Sequence, residues 1–251
     1  MTTTPRPPAD APPGTVSATA SLSERLRAVW HHAADEGDLM PGESALAEQL
    51  GVSRPALREA LVRLAAEGLI DRRQGASTVV NRAALEMPIR LDRQTPFEIA
   101  LERAGYATEM QLLESGRLAL DSDQAAQLRR PCGATALRTV KRWRADGLVA
   151  MVAVDILPIP DEVDADGVDP HPSVFASTVE LYGEGAVWEP AWPKPCIVDQ
   201  QLGAWLELAE GTPVLALDLV GISRSGLRCY LATEYHVPGT VPQGLIRCLV
   251  N

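Results

Sequence analysis

Apolar residues recur at helical spacing from Leu22 through Leu26, Val29, Trp30 and Ala33, again at Leu46, Ala47 and Leu50, and a third time at Leu57, Leu61 and Leu64. Each set falls on one stripe of a 3.6-residue helix, so three amphipathic helices are predicted before Glu67-Gly68. The period then changes. Leu69-Ile70 and Val79-Val80 flank Arg72-Arg73-Gln74-Gly75-Ala76, which reads as two short strands around a glycine-containing tip. Residues 1–21 are rich in Thr, Pro and Ala with almost no bulky apolar side chain, and a disordered tail is expected there. Residues 82–94 mix polar residues with Pro88 and read as a linker.

The remainder, 95–251, contains an internal repeat at an offset of 78 residues. Leu128, Gly133, Leu137 and Val140 align with Leu206, Gly211, Leu215 and Asp218. In each copy a short helix closes on a glycine before a strand begins, and the strand turns back through Ala145-Asp146-Gly147 or Ser225-Gly226. Two helix-strand-hairpin units imply an antiparallel sheet with helices packed on it. The whole chain is therefore expected to be α+β, with a small helical head and a larger sheet domain.

Between the second and third helices stands Leu50-Gly51-Val52-Ser53-Arg54. Gly51 suits the left-handed residue that ends a helix, and the Ser53 hydroxyl suits the cap of the next. A tight helix-turn-helix follows. Arg54 and Arg58 are four apart and share one stripe of the third helix, beside the leucine stripe. They would enter a DNA major groove together, or else stand as solvated arginines on an ordinary three-helix bundle.

Charge sharpens that choice. The net formal charge of -10 argues against nucleic acid as a whole-chain partner, yet it is unevenly placed. Residues 50–82 hold six Arg against three acids, while residues 83–251 hold 14 basic and 23 acidic residues. A small basic footprint on an acidic body fits a DNA-binding head. No apolar run reaches the length of a membrane span, and the N-terminus lacks the layout of a secretion signal, so a cytoplasmic protein is expected. Cys132, Cys196, Cys229 and Cys248 are widely spaced and read as reduced core thiols; no metal-ligand spacing is present.

The stretch Met40-Pro41-Gly42-Glu43-Ser44-Ala45-Leu46-Ala47, then Gly51-Val52-Ser53-Arg54, Leu57-Arg58-Glu59-Ala60-Leu61, Glu67-Gly68-Leu69-Ile70 and the Gly75 tip resembles the winged helix of the GntR family over residues 22–81. The resemblance implies that Ser53, Arg54 and Arg58 contact operator DNA, and that the wing around Gln74 and Gly75 approaches the minor groove. Gly42 stands where the family usually has a helix-capping Ser. Ser44 stands where many members have a DNA-contacting Arg, and as a neutral hydroxyl it offers a phosphate less. A homodimer formed through the C-terminal sheet, reading a short inverted repeat, is expected.

Arg142 and Arg144 alternate along one strand and so project from one face, while the repeat aligns Arg142 with the apolar Val220. The pair suits a phosphate or carboxylate ligand, or else forms salt bridges with Asp155 or Glu234. Thr95-Pro96-Phe97-Glu98, Arg142-Trp143-Arg144-Ala145-Asp146-Gly147, Leu157-Pro158, Ser173-Val174-Phe175 and Gly211-Thr212-Pro213-Val214-Leu215 resemble the UTRA effector domain of the HutC subfamily, whose fold is like that of chorismate lyase. This implies an effector pocket drawn from Arg142, Arg144, Asp155, Ser173 and Phe175. Ala153 stands where phosphosugar-binding members have a carboxylate, with Asp155 two residues on; Tyr230 replaces a family Glu and His236 a family Tyr, and the loss of both acidic acceptors argues against an amino-sugar phosphate.

In Val187-Trp188-Glu189-Pro190-Ala191-Trp192-Pro193-Lys194-Pro195, three prolines spoil a normal strand pattern, and the two tryptophans suit a pocket lid or core packing. No catalytic constellation, cofactor motif or metal site is found, so an enzyme is not expected. The reading is a repressor released from its operator by a small anionic or carbonyl-rich metabolite. A chorismate-lyase-like enzyme and a winged-helix protein-interaction module are the rivals.

Overall fold

Gly51 takes φ 61 and ψ 37, the left-handed conformation that closes one helix, and two residues later the Ser53 hydroxyl accepts the Ala56 N–H at 3.4 Å to open the next. The computed structural model, which describes residues 22–72, 76–87 and 89–247, places this turn between α2 (Glu43–Leu50) and α3 (Arg54–Ala66), with α1 (Leu22–Asp35) before them. Gly42 begins α2 without any side-chain cap. The predicted stripes form the core: Leu26, Trp30, Leu46, Leu50, Leu57, Leu61 and Leu64 are buried together. Trp30 Nε1 donates to the Leu69 carbonyl at 2.8 Å, tying α1 to the chain beyond α3. Antiparallel β1 (Ile70–Asp71) and β2 (Val79–Val80) form the base of the wing. Residues 1–21, Gln74, Gly75 and Cys248 lie outside the described residues. A 3-10 turn at Arg82–Glu86 and β3 (Ile89–Arg90) follow, so the stretch expected to be a plain linker carries regular structure.

The larger unit runs through α4 (Phe97–Arg103), β4 (Thr108–Ala119), α5 (Ser122–Leu128), β5 (Thr135–Ala145), β6 (Leu148–Pro158), α6 (Val174–Tyr182), β7 (Ala186–Trp188), β8 (Ala191–Ile197), α7 (Gln200–Leu206), β9 (Pro213–Ser223) and β10 (Arg228–His236). Its antiparallel sheet has the order β4-β5-β6-β10-β9-β7, with β8 also paired to β9. The repeat is visible in the coordinates. Helices α5 and α7 begin at Ser122 and Gln200, and strands β5 and β9 at Thr135 and Pro213, each pair 78 residues apart.

One sheet face is covered by the repeat's two helices: Val140, Val152 and Val214 pack under α7, and Ala136, Val220 and Leu231 under α5. The alternate residues point to the other face, where Thr139 stands opposite Asp155, Lys141 opposite Ala153, and Glu234 opposite Ala153 from β10. That face meets α4, whose Phe97 ring contacts Trp143 and His236, and α6, whose Phe175 ring contacts Tyr230. Tyr230 lies across β9 at Gly221, where any Cβ would overlap its ring.

The proline-rich segment is not a loop. Pro193 and Pro195 sit in β8 at the sheet edge, where a missing N–H costs no ladder bond. Trp188 and Trp192 are 58% and 56% exposed, which rules out core packing, one of the two alternatives for these rings. Cys132 is also exposed and Cys196 half-buried, so of the described thiols Cys229 alone is a core group.

The last described strand, β11 (Gln243–Gly244), pairs in parallel with β3, and Ile246 packs against the core of the helical unit. Contacts accordingly divide the chain into 22–93 with 242–247 in one unit and Gln94–Val241 in the other. The expected boundaries, a linker at 82–94 and a sheet domain running to 251, differ from this. β3 and β11 satisfy each other's backbone groups, a pairing between distant segments that no local pattern announces.

Candidate DNA interface and effector face

In the helical unit the turn fixes where α3 begins, and therefore which side chains its first turns present. Arg54 and Arg58 stand on its exposed side, while Leu57, Leu61 and Leu64 turn inward. Arg54 Nη2 donates to the Ser44 hydroxyl on α2. Arg58 Nε donates to Glu43 Oε2 at 2.7 Å, and Arg72, just after β1, donates to Glu43 Oε1 at 2.6 Å. The hydrogen bond from Arg58, with help from Arg72, holds the Glu43 carboxyl below its ordinary range. Ser44, Ser53, Arg54 and Arg58 thus lie on one contiguous surface. Glu43 joins them, and sequence reasoning missed it as a site residue; its signal was an acid in the α2 turn that faces two arginines.

In the larger unit the sheet divides the expected effector set. Arg142 and Arg144 lie on the α7 side. Arg142 donates to Gln111 Oε1 at 2.6 and 2.9 Å, to the Trp205 carbonyl at 3.1 Å and to Glu207 at 3.0 Å. Arg144 donates to both Glu207 oxygens and to the Gly147 carbonyl. Their side chains are only 13% and 14% exposed, and their carboxylate partner is Glu207, not Asp155 or Glu234. This corrects the sequence reading: strand alternation sends the arginines away from the face that holds the remaining members.

Those remaining members are together. Asp155 is buried, accepts from Thr139 Oγ1 at 3.3 Å, and has its carboxyl pushed up to about 6 by burial. Lys141 is buried beside it; its Nζ donates to the Pro172 carbonyl, and burial lowers its pKa. Tyr230 donates to Glu189 at 2.5 Å, and burial lifts the Glu189 carboxyl to about 7. His236 Nε2 lies 3.0 Å from Glu234 Oε2, while its buried Nδ1 has no partner. Ser173 caps α6 by accepting the Ala176 N–H at 3.2 Å, and Phe175 follows it onto Tyr230. A small cavity under α6 is lined by Thr139, Lys141, Asp155, Leu157, Val174 and Ser177. Lys141, Glu189 and Glu234 were missed. The parity of Lys141 and Glu234 with Asp155 and Tyr230 was readable only once strand register was known, and Glu189 lies between β7 and β8, where strand parity does not apply.

Residues 20–80 match the family model described as "Bacterial regulatory proteins, gntR family". Among curated proteins, the HTH-type transcriptional regulator Mce2R of Mycobacterium tuberculosis is 47% identical over 73 residues, covering 27% of this chain and 30% of that one. The matches to the first such relatives span about a third of their length. Among solved structures, YydK of Bacillus subtilis, a possible transcriptional regulator, gives a TM-score of 0.70 at 14% identity over 90% of this chain and 97% of that one. PhnF of Mycobacterium smegmatis gives 0.56 at 21% identity over 91% and 100%, and its effector domain alone gives 0.56 at 17% identity over 64% and 100%. Residues 20–80 therefore resemble the helix-turn-helix segment of gntR-family regulators in sequence, and the chain as a whole has the two-unit α+β fold of PhnF and YydK.

Proposed function

We propose that the chain is a ligand-responsive transcription regulator of the gntR family, acting in the cytoplasm as a homodimer on an operator with inverted repeats. The observation that carries this reading is the helix-turn-helix of α2 and α3, whose exposed stripe presents Arg54 and Arg58 together within a segment that matches the family. Both guanidinium groups reach a major groove from there, reading guanine edges or clamping phosphates. Ser44 and Ser53 support them, and the wing tip at Gln74 and Gly75 approaches the minor groove. A single winged helix spans too few bases for genomic selectivity, so a two-fold dimer is required.

The effector face is assigned to the α6 side of the sheet, with Asp155, Ser173, Phe175, Tyr230 and His236 joined by Lys141. The support is a cluster of buried polar groups on one sheet face: a carboxyl and an ammonium both shifted toward neutrality by burial, and the His236 Nδ1 with no hydrogen-bond partner. An anionic effector would meet Lys141 there rather than Arg142 and Arg144. The UTRA fold of the HutC subfamily fits the same arrangement. Effector binding that favours a dimer geometry with wrongly spaced recognition helices would release DNA, and a coupling of about 1–3 kcal/mol is typical. A thermal-shift screen of the full chain against a metabolite library tests this. A hit is expected to raise the melting temperature of the wild type and not of Lys141→Met; hits that stabilise both alike would refute the assignment.

A further inference from the structure

The α2 turn places an acid where DNA binding by itself would not ask for one. Glu43 meets Arg58 of the recognition helix at 2.7 Å and Arg72, just after β1, at 2.6 Å, so one carboxylate engages a proposed DNA-reading arginine and the partly covered arginine beside it. Its neighbour Ser44 accepts from the other proposed DNA-reading arginine, Arg54. The Glu43 side chain is partly covered and Arg58 largely exposed, and exposed pairs of this kind are weak enough to be exchanged for other contacts.

We propose, on the basis of the DNA-binding reading above, that Glu43 is a specificity-determining residue. Its carboxylate stands in for a phosphate, holding Arg58 and Arg72 in one fork and subtracting from the attraction between this head and DNA of any sequence. Attraction to the phosphate backbone is independent of sequence and is supplied by cations alone. Reading of base edges depends on where the guanidinium groups are held. A carboxylate that orients the arginines while neutralising them therefore suppresses the first contribution and preserves the second. Glu43 positions the arginines and needs no contact with DNA of its own.

The test uses the full chain and a random-sequence duplex, titrated by fluorescence anisotropy across a series of salt concentrations. Glu43→Gln is expected to bind this duplex roughly tenfold more tightly at low salt, with the slope of log affinity against log salt steeper by about one to two as the freed arginines take up phosphates. Glu43→Asp restores the charge and should return the slope toward wild type. In an Arg58→Ala background, Glu43→Gln should lose about half of its effect. A gain of affinity requires a folded head, so misfolding does not mimic this result. Glu59→Gln removes the same charge from another stripe of α3 and should change the slope far less; if it matches Glu43→Gln, net charge alone is at work and the inference falls. An unchanged slope in Glu43→Gln with normal wild-type binding overturns the inference alone. A wild-type chain with no salt-dependent binding to any duplex overturns the DNA-binding reading itself.

Discussion

Among single residues, those tied to function have surroundings unusual for their type. Arg58 is exposed, leaves the leucine stripe intact when removed, and carries no core packing. Arg58→Ala is therefore expected to weaken operator binding by about 1–3 kcal/mol while the melting temperature stays near wild type. Gel-shift titration at fixed salt measures it, and an unchanged affinity would remove Arg58 from the interface. Glu189 is unusual in the opposite way. Burial holds its carboxyl near 7, with Asp155 and Glu234 close by and Tyr230 donating to it. Between the ordinary carboxylate range and about 7 the folded chain keeps a proton that the unfolded chain has released. Stability contributed by Glu189 therefore rises as pH falls through that window, and Asp155, held near 6, adds to the same trend. Glu189→Gln keeps an acceptor for Tyr230 and removes the titrating group. Thermal melts should show it more stable than wild type by about 1–2 kcal/mol at mildly alkaline pH, a figure reduced for partial exposure, with a smaller gain on acidification. Parallel pH profiles for the two proteins would contradict this.

Elements explain why some of these residues were legible in the sequence and others were not. The three helices of the head, their turn and their leucine core follow from local spacing and capping chemistry, and residues 54 and 58 follow from the same helical period. The repeat was equally legible, because a helix, a glycine and a strand recur at one offset. It also explains why the two arginines part from the rest of the expected effector set. Arg142 aligns with Val220, which packs under α5, so its counterpart should point toward the helical layer, and it does, meeting α7 and Glu207. Opposite faces of a strand differ by one residue, so a site drawn from several strands cannot be assigned until their register is known. Nor does spacing reveal that the proline-rich segment lies on an edge, where prolines are tolerated. The arginines thus become part of the joint between β5 and α7. Glu207→Gln should lower stability by about 1 kcal/mol, because two largely covered guanidinium groups lose their carboxylate while Glu207 itself is half exposed. Chemical denaturation checks this; a neutral substitution, together with loss of ligand response, would return the pair to the effector site.

For the whole molecule, the proposed DNA binding is reconciled with acidity by local placement: residues 22–82 hold eight Arg against nine acids, but six of those Arg and only three of the acids fall within 50–82, and residues 83–251 carry the larger acidic excess. What local pattern could not supply was the return of residues 242–247 to the helical unit, since pairing between distant segments leaves no periodic trace. Light scattering is expected to give the mass of a dimer both free and on DNA, and a monomer in both states would remove the inverted-repeat operator from the account. The most direct test of the central claim is selection of the full chain on a pool of random DNA duplexes at fixed salt, followed by sequencing. The account predicts that the pool converges on a short inverted repeat, and that the chain with both Arg54→Ala and Arg58→Ala enriches nothing. A pool that stays random, or enrichment that survives loss of both arginines, would contradict it.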